Sequence, residues 1–141
     1  MLTLAVVGAR LAQFTCAIIL LGSPLFFLYG LPAQGLGAAS ALRWPRPFLL
    51  GAALVLSLGA LVSLGAQTAV MTDSVAEAFR PASLAAVLTG SQFGLAIAAR
   101  TGLTVLGALA LITMKPSRTL WFVVAILGAG VVATFAWTGH G

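Results

Sequence analysis

Three side chains in this sequence have the chemistry of soft-metal ligands. His140 is the only histidine of the 141 residues, Cys16 is the only cysteine, and Met71 is one of three methionines. Imidazole, thiolate and thioether groups together suit Cu(I). Each residue taken alone also has a structural interpretation, since a cysteine in an apolar stretch acts as a small buried hydrophobe. The candidate metal ligands of the chain are therefore His140, Met71 and Cys16, which we predict to lie towards the same side of the molecule.

Two arginines interrupt apolar segments and are candidates for an ion-pair or anion site. They are Arg10 and Arg100, and the only acidic residues of the chain are Asp73 and Glu77. A charge at the centre of a bilayer costs at least about 2.5–3.5 kcal/mol unless it pairs or snorkels to the headgroups. One hypothesis is that the arginines meet Asp73 or Glu77, or bind an anion. The other is that they anchor the helices to a loop or to lipid.

The inventory of reactive side chains excludes most catalytic chemistry. One histidine cannot supply a bis-histidine haem site or a multi-histidine zinc site, and one cysteine excludes an internal disulfide and a CxxC motif. The apolar segments hold no carboxylate that could relay protons. We therefore expect that the chain is not an enzyme. Its basic residues occur singly or in pairs without a nucleic-acid-binding signature, so we expect no nucleic acid partner.

Composition and segment length predict an integral membrane protein. Hydrophobic residues make up 61% of the chain and charged residues 6%, whereas an ordinary soluble domain carries about 25% charged residues. Four segments are long enough to cross a hydrocarbon core of about 30 Å. We predict an all-α fold, a four-transmembrane-helix bundle forming a single domain over residues 1–141, with spans at about 4–29, 48–70, 92–114 and 120–137.

The loops between these spans predict their orientation. Arg43 and Arg46 lie in the first loop, and Lys115 and Arg118 lie in the third. The positive-inside rule therefore places both loops in the cytoplasm. Both termini and the middle loop then face outward. In a Gram-negative bacterium this means a multi-pass inner-membrane protein with periplasmic termini.

The middle loop carries a helix signal of its own. "SVAE" has capping-box spacing from Ser74 to Glu77, and Pro81 ends that turn. The apolar stretch "SLAAVLTG" that follows is too short to span a membrane. We predict that it forms an interfacial or re-entrant helix over the outer ends of the spans. The alternative is that it is a frayed start of the third span.

Small residues at four-residue spacing predict where the helices pack. Helices in lipid associate through close backbone approach and interhelical hydrogen bonds. The predicted packing faces are Gly94, Ala98 and Gly102 in the third span, and Gly130, Thr134 and Thr138 in the fourth.

Three stretches of the sequence carry a family resemblance. They are "ARLAQFTCAIILLGSPLFF" in the first span, "EAFRPASLAAVLTGSQFGLAIAAR" from the middle loop into the third span, and "TGHG" after the fourth span. An Arg-containing first span, an acidic outer loop, an FG pair at the start of the third span and a GH pair after the fourth occur in this order. This arrangement resembles the N-terminal, four-span half of the CopD copper-resistance family. The FG and GH pairs are its more specific parts.

The resemblance implies an inner-membrane protein of copper homeostasis or transport. His140 would match the family's histidine at the end of the fourth span, a copper ligand facing the periplasm. The implied partners are the lipid bilayer, other membrane subunits or a second copy of the chain, and a periplasmic copper-binding protein.

The sequence also departs from the family pattern. Many relatives have a histidine where Gln13 stands, and they usually continue into further spans with more histidines. We therefore expect a partial copper site. The alternative is a non-catalytic structural or accessory subunit packed against a larger membrane complex, which the small-residue faces and the few ligands favour.

Overall fold

The fold is all-helical over the residues that the computed structural model describes, 2–30, 45–115 and 117–138. Four helices are long and apolar enough to cross a membrane, as the sequence predicts. They are α1 (Leu2–Leu25, continued by a π-helix at Phe26–Gly30), α2 (Pro45–Thr72), α5 (Gln92–Thr113) and α6 (Arg118–Thr138). Two short helices, α3 (Val75–Ala78) and α4 (Pro81–Gly90), connect α2 to α5.

Each long helix packs against two others, in the ring order α1, α2, α5, α6. The aromatic pairs Phe14–Phe135 and Phe27–Trp121, with ring centroids 4.4 and 4.7 Å apart, run in opposite directions along α1 and α6. These two helices are therefore antiparallel. In the same way, a hydrogen bond joins Arg100 to Thr134, and Gly107 lies beside Leu127, so α5 and α6 are also antiparallel.

The remaining pairs of neighbouring helices, α1 with α2 and α2 with α5, are antiparallel as well. Arg46, near the start of α2, donates to the carbonyl of Met114 just after α5, and Leu64 packs with Ile97. Consequently the start of α1, the end of α2, the start of α5 and the end of α6 share one end of the molecule. We call this the α4 end and the opposite one the Arg46 end.

The core is apolar and the outer surface is apolar as well. The larger buried cluster lies between the four long helices and includes Leu20, Leu56, Leu111 and Trp121. Large hydrophobic side chains are also exposed on every long helix. Since soluble monomers rarely expose apolar patches above a few hundred Å², this surface is typical of helices that face lipid.

The middle segment forms two separate short helices. Asp73 has φ 52° and turns the chain out of α2, a conformation that aspartate tolerates. Ser74 then caps α3 by accepting from the Glu77 backbone N–H at 3.4 Å. Ser91 ends α4 by donating to the Val87 carbonyl at 2.7 Å, and it caps α5 by accepting from the Gly94 N–H at 3.0 Å. The apolar stretch is thus a helix of its own and not a frayed start of α5.

The short helix α4 packs against α2 and α5 rather than across the ends of all four long helices. Its Val87 joins Ala60, Leu64 and Ile97 in a second buried cluster. This contact depends on Gly94, because a Cβ added there would lie 2.1 Å from the Val87 carbonyl oxygen. The position of α4 relative to a membrane surface remains a prediction.

A second close backbone approach joins α1 to α6. A Cβ added at Gly128 would lie 2.9 Å from the carbonyl oxygen of Leu20. That carbonyl has no helical donor because residue 24 is proline, and the π-helix begins two residues after it. The proline therefore leaves the Leu20 carbonyl of α1 without a helical hydrogen bond where the backbone of α6 approaches it.

The small-residue faces are only partly packing faces. Gly94 contacts α4, Gly130 lies against Leu103 and Thr134 is buried, as expected of packing positions, but the bond from Arg100 to Thr134 was not predicted. Ala98 and Gly102 are exposed instead, and a Cβ added at Gly102 would meet nothing within 4 Å. The prediction that these residues pack against other helices of this chain is therefore wrong for Ala98 and Gly102.

Candidate functional site

A buried polar cluster joins all four long helices. It consists of Gln13 on α1, Ser63 on α2, Arg100 on α5 and Thr134 on α6, and we call it the Arg100 cluster. Gln13, Arg100 and Thr134 are 2%, 4% and 5% exposed, and Ser63 is half-buried. Polar groups this deeply buried are stable only when they are hydrogen-bonded, so their partners define the site.

The hydrogen bonds of the cluster form a continuous chain. Arg100 Nε donates to Thr134 Oγ1 at 3.0 Å, and Arg100 Nη1 donates to Gln13 Oε1 at 3.2 Å. Gln13 Nε2 then donates to Ser63 Oγ at 3.0 Å. Thr134 Oγ1 donates its own proton to the Val131 carbonyl, which leaves its oxygen free to accept from Arg100. The Gln13 amide is thereby fixed in one orientation, with oxygen towards the cation and nitrogen towards α2.

An aromatic ring stabilises the charge of Arg100 in addition to its hydrogen bonds. Its guanidinium carbon lies 3.6 Å from the centroid of the Phe135 ring. A cation over an aromatic face is worth about 2 kcal/mol or more when it is desolvated. Phe135 in turn contacts Phe14, whose ring is exposed on the outer surface. Arg100 is therefore held between α1 and α6 from both sides.

The sequence of α2 provides the space for Gln13. A Cβ added at Gly59 would lie 2.6 Å from Gln13 Nε2. Gly59 and Ser63 are four residues apart and so lie on the same face of α2. Gly59 leaves room for the Gln13 side chain, and Ser63, one turn later, accepts a hydrogen bond from the Gln13 amide.

No ion pair joins Arg10 or Arg100 to Asp73 or Glu77 among the described residues. Both acidic side chains are described, and Glu77 lies 3.8 Å from Arg80 in an exposed pair while Asp73 is exposed at the end of α2. Arg100 instead bonds the neutral groups of Gln13 and Thr134. Arg10 is exposed on α1 and lies outside the buried cluster.

The cluster contains two hydroxyl groups but no carboxylate, imidazole or thiol. None of its side chains is therefore a general base that could activate Ser63 or Thr134 as a nucleophile. Arginine has five donors and no acceptor, which excludes it as a metal ligand. The cluster fixes the register of four helices relative to one another.

The structure places two of the three soft-metal candidates far apart. Gln13 and Ser63 are bonded and so lie at one level. Met71 is eight residues from Ser63 towards the α4 end, and Cys16 is three residues from Gln13 towards the Arg46 end. At about 1.5 Å per residue, Cys16 and Met71 are about 16 Å apart along the helix axes. One metal ion with bonds of about 2.3 Å to sulfur cannot bind both.

The surroundings of the two sulfur atoms also differ. Cys16 is half-buried against the core between the long helices. Met71 is 62% exposed and lines a cleft of about 310 Å³ with Ser83, Val87 and Ser91. His140 lies outside the described residues. No group of three or more His, Cys, Asp or Glu side chains that could hold a metal occurs in the described part of the chain.

A family model described as copper resistance protein D-like, N-terminal domain, matches residues 1–141. The chain belongs to the copper resistance protein D-like family. Comparisons with curated proteins and with solved structures give no match. The family match and the four long apolar helices together indicate a multi-pass membrane protein of a copper-related family. The resemblance seen in the sequence is thereby confirmed.

Among the described residues of this copper resistance protein D-like domain, the two candidate sulfur ligands do not converge. Thioether and thiolate groups suit Cu(I), but Met71 and Cys16 lie on opposite sides of the level marked by the Gln13–Ser63 hydrogen bond.

Sequence reasoning identified Arg100 but missed its partners. The spacing of Thr134 indicated only a packing position, Gln13 stands out only as the residue where relatives have histidine, and Ser63 carried no signal of its own. Phe135 was not singled out. Their depth in the membrane could have identified these partners, because all of them lie in the half of their span nearest the α4 end.

Proposed function

We propose that this chain is a non-catalytic inner-membrane component of copper homeostasis or transport that offers His140 as one ligand of a periplasm-facing copper site. The observation that carries the proposal is the family match over residues 1–141. The site is partial, so further ligands come from another subunit, a second copy or a periplasmic copper-binding protein.

The distribution of charge supports this orientation. Asp73 and Glu77 lie at the α4 end, whereas Arg46, Lys115 and Arg118 lie at the opposite end. Basic residues near span ends favour the cytoplasmic side. The α4 end therefore faces the periplasm, and a copper ligand there meets metal delivered from that compartment.

His140 comes two residues after Thr138 in the sequence, and Thr138 is the last residue of α6 and lies at the α4 end. Met71 lies at the same end on α2, which is not a ring neighbour of α6. We therefore assign His140 as the ligand offered and exclude Cys16 from its site.

The test is a Cu(I) titration of the purified protein in detergent against a chromophoric Cu(I) chelator. We expect His140→Ala to weaken Cu(I) binding at least tenfold, which corresponds to about 1.4 kcal/mol. The matched controls are Met71→Leu and Cys16→Ala, which remove the two sulfur groups and are expected to leave the affinity within about twofold of wild type. Identical stoichiometry and affinity in wild type and His140→Ala would contradict the proposal.

A second candidate function is that of a structural subunit packed against a larger membrane complex. The observation that favours it is the outward-facing pair Ala98 and Gly102 on α5. Small residues on an exposed face allow the backbone of another membrane helix to approach closely.

Purification in a mild detergent discriminates between the two functions. A stoichiometric complex whose cofactors reside on other chains would support the structural subunit. In that case Gly102→Leu should release the partner, whereas Gly51→Leu should retain it. A Cβ at either glycine meets nothing within 4 Å, so we expect both variants to fold. A protein that purifies alone and binds Cu(I) through His140 would support the first function.

A further inference from the structure

The Arg46 end carries basic side chains from two separate parts of the chain. Arg46 lies at the start of α2, Lys115 follows α5, and Arg118 is the first residue of α6. Both acidic residues of the chain lie at the opposite end. We call Arg46, Lys115 and Arg118 the basic cluster.

One hydrogen bond holds the basic cluster together. The Arg46 side chain donates through Nη2 to the carbonyl of Met114, the residue that caps the C-terminus of α5. A cation at a helix C-terminus is favourable because the exposed carbonyls carry partial negative charge. Lys115 is the next residue, and Arg118 follows three residues later. The bond thus brings the α2 cation to the turn that carries the other two.

No carboxylate among the described residues pairs with the cations of this cluster. Arg46 Nε is buried and has no hydrogen-bond partner among the described residues. A buried donor without an acceptor costs about 1–3 kcal/mol. Lys115 and Arg118 are exposed, and α6 begins at Arg118, so the positive end of its helix dipole adds to the potential. An anion at this position would relieve the repulsion among three cations.

The surroundings of the cluster indicate which anion it takes. Ile112 and Phe122, one turn to either side of the basic turn, are exposed on helices of membrane-spanning length. A ligand that places a phosphate on the cations and hydrocarbon on these side chains satisfies both surfaces. We propose that the basic cluster is a binding site for the phosphate headgroup of an anionic phospholipid. This site is independent of copper and lies at the end opposite α4.

The test compares lipid-dependent thermal stability in a neutral detergent. Phosphatidylglycerol or phosphatidylcholine is added to wild type, to the double variant Lys115→Gln/Arg118→Gln, and to the control Arg10→Gln/Arg80→Gln. The control removes the same number of charges from exposed positions outside the basic cluster. Arg46 is left in place because it caps α5. Native mass spectrometry counts the phosphatidylglycerol molecules retained by each protein.

We expect phosphatidylglycerol to raise the Tm of wild type and of the control above the value in phosphatidylcholine, since a ligand that binds only the folded state stabilises it. The basic-cluster variant should lose at least half of this shift and retain fewer phosphatidylglycerol molecules. Equal losses in the two double variants would overturn the proposal, because the effect would then follow net charge alone. An equal Tm shift of wild type with inorganic phosphate would also overturn it, since the site would then take a soluble anion.

Discussion

Arg100 is buried without a counter-charge, and its surroundings must offset the cost of placing it there. That cost is at least about 2.5–3.5 kcal/mol for an arginine deep in a membrane. Hydrogen bonds from a charged group contribute about 1.5–3 kcal/mol each, and Arg100 makes two, with a ring face in addition. The neutral partners therefore suffice, and a carboxylate is not required.

This balance predicts strong coupling between Gln13 and Arg100. Gln13→Leu removes the acceptor of a buried charge, so it should destabilise the protein by about 1.5–3 kcal/mol. In the background of Arg100→Met the charge is gone, and the same change should cost less than about 1 kcal/mol. Unfolding free energies of the four proteins in mixed micelles give the coupling. Additive losses would show that the hydrogen bond contributes no net stability.

The Arg100 cluster also shows how far the candidate site could be predicted. A charge inside an apolar segment is visible in any sequence, so Arg100 stood out. Its partners did not, because glutamine, serine and threonine in a span are equally consistent with packing. Which of them meet depends on the rotation and neighbours of each helix. Those are set by contacts such as Gly59 with Gln13, which no single segment specifies.

The junction of α4 and α5 depends on one serine and one glycine. Gly94→Ala places a Cβ 2.1 Å from the Val87 carbonyl oxygen, so α4 must move away from α5. Overpacking of this kind costs about 1–3 kcal/mol. The control is Gly102→Ala on the same helix, where the space is open and alanine favours helix. Thermal unfolding should show destabilisation by Gly94→Ala alone, and equal Tm values for both variants would contradict the close packing.

Gly128 should be equally sensitive on α6. A Cβ there lies 2.9 Å from the Leu20 carbonyl and 3.0 Å from the Leu21 Cα, and both are backbone atoms that cannot rotate away. Gly128→Val should separate α1 from α6 and lower stability by about 1–3 kcal/mol. Gly22→Val, at an exposed glycine of α1 with no atom within 4 Å, is the control. The measurement is the denaturant midpoint of each variant, and matching midpoints would refute the assignment.

The helices themselves were predictable because their signal is additive. Apolar length alone identified four segments of spanning length, and the observed bounds differ from those expected by at most three residues when the π-helix is counted with α1. The faces were less predictable. Gly94, Ala98 and Gly102 share a helix face by spacing, yet Gly94 is buried against α4 and Gly102 is open, because spacing does not specify the partner. Gly128, where α6 approaches the backbone of α1, carried no spacing signal.

The arrangement of the molecule in its membrane has a direct test. In a Cys16→Ala background, a cysteine at Ala76 in α3 reports the α4 end, and one at Thr119 in α6 reports the Arg46 end; both positions are exposed. With the basic loops inside, an impermeant maleimide should label the Ala76→Cys protein in intact spheroplasts. It should label the Thr119→Cys protein only after lysis. The reverse pattern would place the α4 end in the cytoplasm.

Membrane class and family were within reach of the sequence, whereas the ring order of the helices was not. Composition and the order of short motifs are properties of the chain as written, and the family match confirms them. The ring order arises from pairwise fits such as Phe27 with Trp121. The same holds for α4, which covers only the α2 and α5 side of its end.

The Arg100 cluster has a consequence for how the protein is made. Synthesis delivers the N-terminal segments first, so Gln13 and Ser63 can bond before the ribosome has translated α5. Arg100 can then meet its acceptor Gln13 as α5 inserts, while Thr134 is synthesised only with the last helix. We therefore expect the hairpin of α1 and α2 to favour insertion of α5 into the membrane. A chain lacking α1 should insert α5 less efficiently and leave it accessible to membrane proteases.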